Sequence, residues 1–138
     1  MKSERRYLLV DDDYSNNMIC EMVIKNIKKN AEVIAFESPL EGLAYIEKEY
    51  TAEAEKVNTI LLLDINMPAI TGWQFLEKFH HFPKHIKDQF TIYILSSSID
   101  SCDKQKATDN PEVKGYLVKP LSFKLMEEMI SWNNLSRK

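Results

Sequence analysis

Residues 59–72 read TILLLDINMPAITG. Ile60 to Leu63 are apolar at every position, and the run stops abruptly at Asp64. A strand with one wet face would alternate apolar and polar residues, whereas an unbroken run suits a central parallel strand buried on both faces. Pro68 and Gly72 then bend the stretch Met67 to Thr71 back into a helix marked by Phe75, Leu76 and Phe79.

The same pattern recurs outward in both directions. Thr91–Leu95 contains a second run without alternation, at Ile92 to Leu95. Tyr7–Val10 and Glu32–Phe36 lie upstream, and Gly115–Val118 lies downstream. Helix signals fill the gaps. Ile19, Met22, Val23 and Ile27 form one apolar stripe, with Lys25, Lys28 and Lys29 off it or at its end. Ser38-Pro39-Leu40-Glu41 has the form of a capping box with proline at the first helical position, and Leu40, Leu43 and Ala44 continue an inward face. Met126, Met129 and Ile130 mark a last helix capped by Ser122. Residues 101–110 are polar apart from Ala107 and predict a short or mobile helix at most. Five strands alternating with five helices make a doubly wound α/β fold with a parallel sheet and right-handed crossovers.

Composition narrows the function. A chain of 138 residues is the size of one domain, and its 44% apolar and 28% charged residues are ordinary for a soluble globular protein. Its net charge of −3 offers no electrostatic basis for nucleic-acid binding. The only glycines are Gly42, Gly72 and Gly115, which cannot spell either glycine-rich phosphate loop. Cys20 and Cys102 are too few for a disulfide framework or a zinc site, and both are expected to be small reduced hydrophobes. No apolar run approaches a secretory signal core or the ~20 residues of a bilayer span. The expectation is a cytoplasmic protein with no membrane contact. Only eight residues follow Ile130, so a single domain without an effector is expected.

In an open parallel sheet, ligands sit beyond the carboxyl ends of the strands. Here the first strand ends in Asp11-Asp12-Asp13, the third in Asp64, the fourth in Ser96, and the fifth in Lys119-Pro120. Carboxylates this close do not all remain ionised without a counter-ion. An all-oxygen cluster selects a hard cation, and Mg²⁺ suits a site with few protein ligands and several waters. Asp13 also suits a helix cap.

The pieces LLVDDD (8–13), LLLDINMPAITG (61–72), ILSSS (94–98) and GYLVKP (115–120), in this order, resemble the receiver domain of two-component response regulators. The likeness runs along the whole chain and is to a stand-alone receiver of the chemotaxis-regulator kind. It implies a flavodoxin-like sheet of order 2-1-3-4-5. It implies that Asp64 accepts a phosphoryl group from a sensor histidine kinase or phosphotransfer protein. By the same resemblance, Asp11, Asp12, Asp64 and the backbone carbonyl of Asn66 hold Mg²⁺, and Ser96 and Lys119 stabilise the phosphoryl group. Ser96 stands where many members have threonine. Tyr116 matches the switching aromatic, moving from exposed to buried, and Lys119–Pro120 matches a cis peptide. The implied output is an unidentified downstream protein on the face of the fourth helix, fifth strand and fifth helix, about residues 101–133.

The residue types suit this chemistry on their own terms. Phosphoryl transfer needs an in-line nucleophile and neutralisation of charge on the phosphoryl oxygens, and carboxylates do form aspartyl phosphates. The alternative is a Mg²⁺-dependent phosphohydrolase of small substrates. Its general acid would stand two residues after the nucleophile, where this chain has Asn66. A flavodoxin-like electron carrier would need a neutral phosphate loop after the first strand, whereas Asp11-Asp12-Asp13 would repel FMN phosphate. His80, His81 and His85 lie around Pro83, with a spacing that suits a solvated helix end and loop. Trp73 and Trp132 are expected to be partly buried core residues.

Overall fold

A computed structural model describes residues 6–51 and 56–136. In chain order the elements are β1 (Arg6–Val10), α1 (Tyr14–Ile27), β2 (Glu32–Phe36), α2 (Pro39–Glu49), β3 (Thr59–Leu63), α3 (Gly72–His80), α4 (Lys84–Lys87), β4 (Phe90–Ser96), α5 (Ser101–Asp109), β5 (Val113–Val118) and α6 (Phe123–Ser136). The five strands pair in parallel in the order β2-β1-β3-β4-β5, as the resemblance implied. β3 is buried at every position and lies between β1 and β4.

Successive side chains on a strand point to opposite faces, so the sheet carries two cores. Leu8, Val10, Leu61, Leu63, Ile92 and Ile94 face α2, α3, α4 and α5. Tyr7, Leu9, Ile60, Leu62, Tyr93, Leu95 and Leu117 face α1 and α6. At the amino ends of the strands, Arg6 reaches Glu32 (2.9 Å) and the Tyr50 hydroxyl (3.1 Å), which in turn meets Thr59 Oγ1 at 2.7 Å. That edge is tied shut, and the site lies at the opposite one.

Several expectations need correction. α1 turns a different face inward: it buries Asn16, Asn17, Cys20, Val23 and Ile24, while Ile19 and Met22 are exposed. The cause is polar. Asp11 draws both asparagine amides into the interior, which fixes the rotation of the helix. On α2 the buried residues are Pro39, Gly42, Leu43 and Ile46, leaving Leu40 and Ala44 outside. Ser38 does cap α2, accepting from Glu41 N at 3.3 Å. A capping box closed in both directions occurs at Thr71 and Gln74, before α3. The described residues form six helices, because α4 adds one turn between α3 and β4. Residues 101–109 do form a short helix, as expected, burying only Ala107, and the Asp100 side chain caps it on Cys102 N at 2.8 Å. Cys20 is buried, but Cys102 is exposed on the outward side of α5.

Ser122 caps α6 as expected, accepting from Leu125 N at 3.0 Å. His80 ends α3, and His81 and His85 flank the turn through Pro83, all on the surface. Trp73 packs partly buried on the α3 side of the core as expected, whereas Trp132 is exposed and stacks on Tyr93 with ring centroids 6.2 Å apart.

Candidate functional site

Four of the five strands, β1, β3, β4 and β5, bring functional groups to the same edge. Asp11 follows β1 and is 3% exposed; Asp64 follows β3 and is 5% exposed; Asp12 is exposed beside them. One carboxylate oxygen from each of the three lies within 4.8 Å of the others. Lys119, following β5, puts its Nζ 2.7 Å from Asp11 Oδ2 and 3.7 Å from Asp64 Oδ2. Ser96, the last residue of β4, is fully buried. The Lys119–Pro120 peptide is cis. Asp13 stands apart from the cluster and caps α1, accepting from Asn16 N at 3.2 Å.

Gly72 sets the depth of Asp64. At this position α3 begins directly against the end of β3, with Gly72 N donating to Ile65 O at 3.0 Å. A Cβ there would sit 2.5 Å from the Asp64 carbonyl oxygen. The approach therefore requires glycine. Asn66 is exposed in the same loop, and its N–H points at Asp64 Oδ1 from 3.3 Å.

Charge follows from this packing. Burial, and then the Asp11 carboxylate, push the Asp64 carboxyl above its ordinary range, against the pull of Lys119 and the Asn66 and Ile65 amides. Burial alone would lower Lys119, but its hydrogen bond and attraction to Asp11, with Asp64 behind, hold it above the ordinary lysine value. The Cys20 thiol is pushed up to about 12 by burial and by Asp11, so it stays protonated and inert. Three carboxylates sharing one ammonium leave the cluster short of positive charge. With oxygen donors only, one of them open to water, it fits a hard divalent cation such as Mg²⁺.

Beyond Ser96 a chain of hydrogen bonds leads away from the site. Ser98 N donates to Ser96 Oγ (3.1 Å), and the Tyr116 hydroxyl donates to Ser98 O (2.8 Å). Ser98 Oγ donates to Asp103 Oδ2 on α5 (2.7 Å) and accepts from Asp100 N (3.2 Å). Tyr116 is already half-buried against the core, not exposed as expected for a resting switch residue. Ser98 escaped the sequence reading, as did Asn16 and Asn17. The signal for the asparagines was two amides at positions in phase with Cys20, Val23 and Ile24.

Residues 7–131 match the family model of the response regulator receiver domain, and the chain belongs to that family. A two component response regulator from Cytophaga hutchinsonii superposes with a TM-score of 0.82 at 27% identity, covering 100% of both chains. The chemotaxis response regulator CheY4 of Vibrio cholerae, at 21% identity and a TM-score of 0.73, shares the fold over 94% of this chain and 98% of its own. Two curated relatives are larger proteins. A cyclic di-GMP phosphodiesterase response regulator of Xanthomonas campestris is 30% identical over 83% of this chain. A 3',5'-cyclic-nucleotide phosphodiesterase of Dictyostelium discoideum is 26% identical over 93% of it. The chain spans 28% and 15% of their respective lengths. This chain is thus a phosphorelay receiver domain, and the phosphohydrolase alternative is not favoured.

Proposed function

We propose that Asp64 accepts the phosphoryl group from a phosphohistidine on a sensor histidine kinase or phosphotransfer protein. An Asp64 oxygen attacks phosphorus in line, the donor's P–N bond breaks, and the departing imidazole keeps the electron pair and takes a proton from water. Burial keeps the Asp64 carboxylate basic, which favours the attack. Lys119 moves from Asp11 to pair with the phosphoryl oxygens, and the Ser96 hydroxyl donates to one of them. Asp11, Asp12, Asp64 and the Asn66 backbone carbonyl would hold Mg²⁺, which supplies neutralising charge at those oxygens. One observation carries this reading: a nearly buried carboxylate at the end of the central strand faces two others within 4.8 Å and an ammonium at 3.7 Å.

From the start of α1, Tyr14, Met18 and Met22 stand exposed at four-residue spacing along the helix, with Phe123 exposed at the start of α6. This apolar stripe suits a helical phosphodonor. Output leaves by α5, β5 and α6, the face expected from sequence, through Ser96 and Tyr116. No described helix is long and apolar enough to cross a membrane, and a cytoplasmic location fits a kinase partner. Nucleic acid is not proposed as a partner.

Incubation with acetyl phosphate and Mg²⁺, read by intact mass, should add one phosphoryl group to the wild type and none to Asp64→Asn. Full modification of the variant overturns the assignment.

A further inference from the structure

We infer that Asn16 is a positioning residue that holds Asp11 in place while Lys119 leaves it for the phosphoryl group; this rests on the function proposed above. Asn16 is 8% exposed in the first turn of α1. Its Nδ2 donates to Asp11 Oδ2 at 2.8 Å, and the same oxygen receives Lys119 Nζ at 2.7 Å. The other oxygen, Oδ1, accepts from Asp13 N at 2.9 Å.

The arrangement has a consequence for the lysine. In this state Lys119 sits 1.0 Å closer to Asp11 than to Asp64, the residue whose phosphoryl group it must serve. Among the described residues, Lys119 is the one cation paired with Asp11. When the ammonium leaves, a nearly buried carboxylate loses one charged partner and one of the donors that fix its orientation. A second donor already seated on Oδ2 limits both effects. It is neutral, so it does not compete as a counter-ion, and it does not travel.

Asn16 is itself rigidly placed. Its backbone N–H is held by the Asp13 cap, and the neighbouring Asn17 Nδ2 donates to the Asp11 carbonyl at 2.9 Å. The first turn of α1 therefore grips Asp11 by both its side chain and its main chain. Groups that orient a metal-binding carboxylate in this way set its affinity, and their loss typically weakens binding by about 10- to 100-fold.

The test compares Asn16→Leu, which keeps the volume but loses the donor, with Asn16→Ala and Asn16→Gln. Mg²⁺ affinity is measured by calorimetric titration, melting is followed without Mg²⁺, and phosphorylation by acetyl phosphate is followed at saturating Mg²⁺. Asn16→Leu and Asn16→Ala should bind Mg²⁺ about 10- to 100-fold more weakly and react more slowly even when saturated. Asn16→Gln, with its amide on a longer stem, should recover part of both. A merely structural Asn16 would lower the melting temperature and leave the Mg²⁺ affinity of the folded protein unchanged. That result, or equal losses in all three variants, overturns the inference. If the wild type binds no Mg²⁺ and takes no phosphoryl group, the proposed function fails and this inference falls with it.

Discussion

Replacing Lys119 with methionine removes one positive charge while nearly preserving the side-chain volume, and it should destabilise the metal-free protein. At an effective dielectric constant of about 20, the 2.7 Å contact with Asp11 is worth about 6 kcal/mol of raw attraction, and the 3.7 Å contact with Asp64 about 4.5. Desolvation of the ammonium, several kcal/mol, offsets much of this. Breaking a buried pair by removing one partner typically costs about 3–5 kcal/mol, and the 16% exposure of the lysine side chain favours the lower end. For 138 residues the unfolding entropy is about 0.29 kcal/mol/K, so a loss of about 3 kcal/mol lowers the melting temperature by about 10 °C. Differential scanning calorimetry in a chelator measures this directly. Saturating Mg²⁺ should narrow the deficit, because the cation replaces the missing charge. Lys119 titrates above its ordinary value in the fold, so its contribution is complete below pH ~10.4 and disappears as the pH rises through the raised value. The deficit should therefore hold through neutral pH and close in strong alkali. Asp11→Asn in the same chain should recover most of the loss. A Lys119→Met protein that melts with the wild type in chelator, or one whose deficit persists with Asp11→Asn, would refute this account of the charge balance.

Three further outcomes follow from the same geometry. Asp64→Asn should stabilise the metal-free protein at neutral pH, since the fold raises the carboxyl above its ordinary value and so disfavours the ionised form; the gain should fade as pH falls through that raised value toward about 3.9, as urea titrations across this range would report. Gly72→Ala should cost about 1–3 kcal/mol and slow phosphorylation, because the new methyl can be seated only by moving the Asp64 main chain; unchanged stability in urea would contradict the close approach. Asp12→Ala, at an exposed position, should leave the chelated protein within about 0.5 kcal/mol of wild type while weakening Mg²⁺ binding; a large drop in its melting temperature would make Asp12 a structural residue.

The strands and their order of burial were legible because Ile60–Leu63 and Ile92–Leu95 have no polar position to face water. That Asp11, Asp12, Asp64 and Lys119 would meet was legible for a related reason: a strand that ends in a charged group announces what it delivers to the sheet edge. Helix rotation was not. Hydrophobic spacing on α1 fits Ile19 and Met22 facing inward as readily as Cys20 and Ile24. The choice between them was made by Asp11, a residue outside the helix, through two asparagines that a hydropathy pattern scores as surface. α5 illustrates the same limit, since a cap at Asp100 sustains a helix that buries a single alanine. The state of Tyr116 depends on a hydrogen bond to the main chain of Ser98, which no side-chain pattern encodes.

The short connection from Ser96 to α5 also determines where motion can be absorbed. Ser98 is tied at its amide to Ser96, at its carbonyl to Tyr116 and at its hydroxyl to the first turn of α5. Such a joint has little slack, so a displacement at one end arrives at the other largely undiminished. What it drives is compliant: α5 has only Ala107 anchored in the core, so sliding or tilting it exposes almost no apolar surface. Upstream, β4 pairs with β3 over Phe90–Ile94 and with β5 over Ile92–Ser96, which makes it the stiffer partner. In mechanical terms the arrangement is a stiff mount, a tight linkage and a soft load, in which a displacement at the sheet edge would be spent moving one helix instead of straining the frame.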